Sequence, residues 1–337
     1  MSLNELWFLL VAVLFIGFFI LEGFDFGVGM STRFLAHDQK ERDQLVTTIG
    51  PFWDANEVWL LTAGGAIFAA FPEWYATMFS GYYLPFVLFL LALIVRGVAF
   101  EFRHKVDAKW TSLWDWMIFI GSIVPAFVLG VLFTSLVRGM PIDASANMYA
   151  GFTDYFNLYS IVGGIAMVVI CFVHGLTYIG LRTEGPIRER AQKMLTKMYI
   201  VLLVGLLAFA VLTYVSTDLF EARPLATPLL LFGAVVTTVL AYFFTGKRME
   251  GWAFTMTTGT ILFTVTTLFV GLFPRVMISS ISSDFNLTIM NASSSPYTLK
   301  VMTIVSLTLL PFVLGYQIWS YYIFRKRVSD SEPVGHE

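Results

Sequence analysis

Long apolar runs separated by short polar segments set the pattern of this chain. Nine runs reach the roughly 20 residues that a helix needs to cross a bilayer. They cover about 6–28, 52–71, 75–101, 114–137, 156–181, 198–216, 226–245, 252–273 and 299–324. The runs are continuous, unlike the alternating strands of a closed barrel. Several contain Gly or Pro, which spanning helices tolerate when neighbouring helices satisfy the backbone. The pattern predicts an all-α fold, a polytopic transmembrane helical bundle forming a single integral membrane domain over 1–337. A short echo links "LEGFDFGVGMSTRF", which ends the first run, with "VHGLTYIGLRTEG", which ends the fifth. It suits two four-helix halves plus a ninth helix.

Composition agrees. The 337 residues are 57% hydrophobic and 13% charged, where a soluble domain carries about 25% charged residues. A net charge of −2 argues against a nucleic-acid partner, and one cysteine, Cys171, cannot form an internal disulfide. The opening "MSLNELWFLL" lacks the basic region of a secretory signal. Cations orient the bundle. Arg33, Lys40, Arg42, Arg103, Lys105, Lys109, Arg182, Arg188, Arg190, Lys193, Lys197, Lys247, Arg248, Arg325, Lys326 and Arg327 fall on one side. Arg138, Arg223, Arg275 and Lys300 fall on the other, and Arg96 stays inside the third run. The expected topology therefore has the N-terminus outside and the C-terminus cytoplasmic. The longest outer loop, 274–298, is Ser-rich and should drape over the outer face. Its Asn286 and Asn291 triplets read as loop chemistry rather than glycan sites.

Ionisable residues inside apolar runs are costly and usually have a partner or a task. Glu22 and Asp25 end the first run, Asp54 and Glu57 open the second, Arg96 and Glu101 close the third, and Asp115 opens the fourth. In the expected topology all seven share the cytoplasmic third of the membrane. Each of the first two pairs is spaced i, i+3 and so shares a helix face. Gly23 and Gly27 allow a close helix approach beside them. Six acids cannot be neutralised by one arginine. Protonation, water or a partner chain must supply the balance, an arrangement that suits proton uptake. Structural roles are also open: Asp54 and Asp115 suit helix N-termini, and Arg96 suits a lock with Glu101 or Glu57. The cluster lies near one face, which speaks against a transporter site at the midplane.

Redox ligands are scarce. His37, His104 and His336 fall in loops or the tail, and only His174 lies within a run. A bis-histidine haem needs two such residues, and no C-x-x-C-H attachment motif occurs. His174 reads as a polar group satisfied by a neighbouring helix or exposed near the inner surface. Neither a catalytic centre nor a metal site is legible in the chain. Trp53, Trp59, Trp74, Trp110, Trp114 and Trp116 suit membrane interfaces, with Trp59 a turn deeper than the rest.

Five stretches closely resemble subunit II of the cytochrome bd-type quinol oxidases: "GFDFGVGM" (23–30), "GPFWDANEVWLLTAGGAIFAAFP" (50–72), "FEFRHK" (100–105), "WDWMIFIGSIVP" (114–125) and "MNASSSPYTLKVMT" (290–303). The resemblance implies a subunit of a terminal respiratory oxidase in the bacterial cell membrane. That complex oxidises membrane quinol and reduces dioxygen to water, taking protons from the cytoplasm. It implies that two b-type haems and haem d belong to a partner, subunit I, and that subunit II binds none. A small single-helix third subunit and membrane lipids are further implied partners. By motif, Asp25 and Asp54 fall on acids of a proton path, with Glu22, Glu57, Glu101 and Asp115 as further candidates. Trp59 falls beside a proposed dioxygen conduit.

Overall fold

One helix organises the rest. In the computed structural model, which describes residues 1–329, α1 (Leu3–Phe34) begins at a capping box. Ser2 Oγ accepts from the Glu5 N–H (3.2 Å) while Glu5 Oε2 accepts from the Ser2 N–H (2.7 Å), so each satisfies a backbone donor of the other. His336 lies outside the described residues. The other chain elements are α2 (Gln39–Ile49), α3 (Trp53–Ala70), α4 (Pro72–Gly81), α5 (Tyr83–Phe102), α6 (Ala108–Arg138) and the short α7 (Phe152–Tyr155). They continue with α8 (Leu158–Arg182), α9 (Pro186–Ser216), the short α10 (Leu219–Ala222), α11 (Ala226–Gly246), α12 (Glu250–Leu272) and α13 (Pro296–Ile323). A small antiparallel hairpin, β1 (Arg275–Met277) and β2 (Leu287–Thr288), precedes α13.

Eight helices are long and apolar enough to cross a bilayer: α1, α5, α6, α8, α9, α11, α12 and α13. The remaining expected run, 52–71, is also a continuous helix, α3, but Asp54, Asn56 and Glu57 in its opening turns keep it out of that set. The expected run 75–101 is two helices, because the chain breaks at Tyr82 between α4 and α5. Hydropathy sees both halves as apolar and cannot register the break. The amphipathic α2 was missed for the converse reason: it is too polar for a span. Asp38 caps it, accepting from the Glu41 N–H at 2.9 Å, and Leu45, Val46 and Ile49 are buried.

α1 packs against α2, α3, α6, α8, α12 and α13. Its crossing with α8 joins the two echoing segments. A Cβ on Gly27 would stand 2.1 Å from the Cys171 carbonyl oxygen, and one on Gly175 would stand 2.4 Å from Gly27 backbone. Small residues thus set the interhelical distance, as membrane packing requires. Phenylalanines fill the surrounding core: Phe15 meets Phe133 edge-on (centroids 4.9 Å apart), and Phe24 stacks on Tyr178 (4.1 Å).

The hairpin closes the end of the bundle opposite α2. Asn286 Oδ1 accepts from the Ser279 N–H and Asn291 Oδ1 from the Thr288 N–H, each at 2.7 Å, so both asparagines shape the loop. Asn4 donates to the Ile289 carbonyl (2.7 Å), and Ser294 N–H donates to the Ala70 carbonyl at the end of α3 (2.9 Å).

Candidate functional site: buried carboxylates around Arg96

Arg96 of α5 is fully buried where α1 and α3 converge at the α2 end of the bundle. Its Nη1 donates to Glu22 Oε1 of α1 and, at 3.0 Å, to Glu57 Oε1 of α3. The guanidinium lies 4.8 Å from the Phe26 ring centroid and 5.2 Å from that of Phe100. Aromatic faces thus support a cation that water cannot reach. Glu101 does not take part. It is exposed and pairs with Lys105, four residues on and past the end of α5, at 3.7 Å.

Asp25, one turn beyond Glu22, is also fully buried. Its Oδ2 accepts from Asn56 Nδ2 at 2.7 Å. The Asn56 carbonyl oxygen in turn accepts from the Tyr321 hydroxyl of α13 (2.8 Å). Trp59 Nε1 donates to Gln317 Oε1 at 3.0 Å, so two side chains one turn apart on α13 engage α3. Asp25 Oδ1 and Glu22 Oε2 accept no hydrogen bond among the described residues, and Arg96 Nε and Nη2 donate none. Asp54 is exposed in the first turn of α3, three residues before Glu57 on the same helix.

A second charged group sits nearer the end of the bundle. Arg103, counted in the sequence as a loop cation, is 2% exposed. It donates to Asp115 Oδ1 from Nε (3.2 Å) and Nη2 (2.9 Å), and its Nη1 lies 2.7 Å from Asp43 of α2. Asp115 lies two turns into α6, which begins at Ala108, so it serves an ion pair and not the helix N-terminus. Of the seven ionisable residues singled out by sequence, four converge: Glu22, Asp25, Glu57 and Arg96. Asp54 borders them, Asp115 belongs to the second group, and Glu101 stands apart. Asn56, Gln317, Tyr321 and Arg103 went unrecognised. A polar amide at a carboxylate's level in an apolar helix, and a Gln-x-x-x-Tyr face on α13, were the available signals.

His174 is buried between α8, α12 and α1. Nε2 donates to the Ile20 carbonyl (3.0 Å), which leaves Nδ1 to accept from the Thr257 hydroxyl (2.7 Å). Both nitrogens are engaged, as the sequence reading of a satisfied polar group anticipates. An axial haem ligand needs a free imidazole lone pair, so His174 does not fit a haem.

Residues 3–324 match the family described as cytochrome bd terminal oxidase subunit II. The chain is 60% identical over 334 residues to cytochrome bd ubiquinol oxidase subunit 2 of Bacillus subtilis (strain 168), covering 99% of both. It is 35% identical over 367 residues to cytochrome bd-I ubiquinol oxidase subunit 2 of Escherichia coli (strain K12), covering 98% of this chain and 96% of that one. The fold matches a chain of the bd oxidase from Geobacillus thermodenitrificans with a TM-score of 0.79, at 17% identity, over 97% of this chain and 100% of that one. Family match and full-length likeness agree: the chain belongs to the cytochrome bd terminal oxidase subunit II family.

Proposed function

We propose that this chain is the haem-free subunit of a complex that oxidises membrane quinol and reduces dioxygen to water. It pairs with a haem-bearing subunit I, and its buried carboxylates carry protons from the cytoplasm. The haems of the partner supply electron transfer and oxygen chemistry, and this chain's own residues hold and move protons. In this reading α3 also crosses the membrane, giving nine spans with the N-terminus outside and the C-terminus cytoplasmic.

The observation that carries the proposal is the cluster of Glu22, Asp25 and Glu57 around the single cation Arg96. One guanidinium balances one carboxylate, and a proton is the natural counter-charge for the others. Buried ion pairs are a poor route to stability, and intramembrane acids are a common mark of proton relays. Asp54 is the outermost acid of the path, Glu57 bridges it to Arg96, and Asp25 and Glu22 lie deepest. Asp115 and Glu101 line the same end of the bundle. The residue after Trp59, Leu60, lines an open apolar groove of about 580 Å³ between α3, α4, α5 and α6, whereas Trp59 lies over Gly17 of α1 and does not line it. An apolar groove of this kind suits dioxygen, an apolar gas.

The test is Asp25→Asn in the assembled complex. Quinol oxidase turnover should fall roughly a hundredfold, the lower range for a lost proton-transfer group, with haem spectra unchanged. Wild-type turnover would remove Asp25 from the path. Loss of assembly or of haem would instead favour a purely structural cluster.

A further inference from the structure

Two arginines beside the second charged group have no acid to themselves. Arg33, in the last turn of α1, places its guanidinium 4.0 Å above the centroid of Trp116 on α6. No carboxylate lies within ion-pair distance of it among the described residues, and its buried Nε makes no hydrogen bond. Arg42 of α2 is near enough to repel it, and Asp115 of α6, beyond ion-pair distance, attracts it more weakly. The only carboxylate within ion-pair distance of Arg42 among the described residues is Asp115, 3.9 Å from Nε, and that nitrogen makes no hydrogen bond. Asp115 is already engaged, accepting twice from Arg103, while Asp43 takes the other side of Arg103. Arg33, Arg42 and Arg103 thus face two carboxylates, which leaves one positive charge in excess.

An apolar wall continues from this charge along the bundle. Phe34, Leu113, Trp116 and Ile120 are each 44–54% exposed, although all are large and hydrophobic. Phe34 is fixed edge-on between Phe119 of α6 and Phe172 of α8. A guanidinium pair at a helix end, with a tryptophan beside it and an exposed apolar wall below, complements a phospholipid in charge and polarity. Guanidinium forks match phosphate oxygens, and basic pockets between spanning helices hold anionic headgroups.

We propose that Arg33 and Arg42 form a specific site for one anionic phospholipid. The phosphate bridges the two guanidiniums, and an acyl chain lies along Phe34, Trp116 and Ile120. The unbalanced positive charge selects an anionic headgroup over a zwitterionic one, whose own cation would oppose the arginines.

The purified oxidase complex, stripped of lipid, can be incubated with phosphatidylglycerol or phosphatidylcholine and weighed by native mass spectrometry. One phosphatidylglycerol should be retained in preference to phosphatidylcholine, and excess inorganic phosphate should not displace it. Arg33→Gln and Arg42→Gln should each lower retention about fivefold, the worth of one cation near an anionic headgroup. Lys109→Gln, at an exposed lysine paired with Asp107, should change nothing. Arg33→Lys keeps the charge if the glutamine variant fails to assemble. It should bind more weakly than wild type, because an ammonium cannot reproduce the planar fork. Equal retention of the two lipids, retention indifferent to both arginines, or displacement by phosphate alone would overturn the proposal. So would a partner carboxylate seated on Arg33 in the complex.

Discussion

At the residue scale, the central cluster depends on amides and hydroxyls as much as on charges. Asn56 gives one hydrogen bond to Asp25 and receives one from Tyr321, so it orients the acid and fixes α13 at once. Asn56→Leu removes both and leaves Asp25 without its donor. A loss of roughly 1–3 kcal/mol is expected for the orphaned buried group, read as a lower melting temperature of the solubilised complex. Tyr321→Phe deletes a single bond and should cost about 1 kcal/mol. Arg96→Leu is harsher, because it strands Glu22, which is fully buried, without its cation. About 3–5 kcal/mol of destabilisation follows from breaking such a pair, and Glu22→Gln in the same chain should recover part of it. If the double variant were no more stable than Arg96→Leu alone, the Glu22–Arg96 coupling would be absent.

At the element scale, helix crossings and the short amphipathic helix are the points to probe. Gly27→Val sets a branched side chain against the Cys171 carbonyl oxygen, which stands 2.1 Å from even a first carbon. Separation of α1 from α8 is expected, with a cost of about 1–3 kcal/mol or failed assembly, visible as reduced recovery of intact complex. Outside the membrane, α2 is tied to α9 through Glu41. Burial alone would push the Glu41 carboxyl up. Hydrogen bonds from Arg190 and from the His37 N–H (2.6 Å) outweigh it and hold the group below the usual carboxylate range. A depressed acid stabilises the fold above its unfolded value and loses that contribution as pH falls through the lower folded value. The gap in melting temperature between wild type and Glu41→Gln should therefore close on acidification. The sequence made the long helices legible, because twenty apolar residues have few alternatives in a bilayer. It hid the break at Tyr82 and the amphipathic α2, since both are settled by local geometry that hydropathy does not record.

At the scale of the whole molecule, helix depth was legible and side-chain direction was not. Counting residues from the helix ends brought Glu22, Asp25, Glu57 and Arg96 to one level, where they meet. The same count placed Glu101 beside them, yet five residues past Arg96 it lies about 140° round the helix, at the surface with Lys105. Arg103 misled in the opposite way: a cation counted as loop is buried by acids contributed from α2 and α6. Pairings between distant segments decide both cases, and no local pattern encodes them. The engaged nitrogens of His174 lead to a spectroscopic expectation. This chain purified alone should show no haem absorbance, while the intact complex should show it in full.

The central position of α1 has a consequence for how the protein is made. α1 packs against six other helices, and two of them, α8 and α12, are synthesised more than a hundred residues after it. Until they arrive, its glycine face and its two acids have only part of their final surroundings. A nascent product halted before α8 would keep Asn56 and Arg96 but would lack the backbone that closes over Gly27. Such a fragment should be a preferred substrate for membrane quality-control proteases, whereas one halted after α12 should persist.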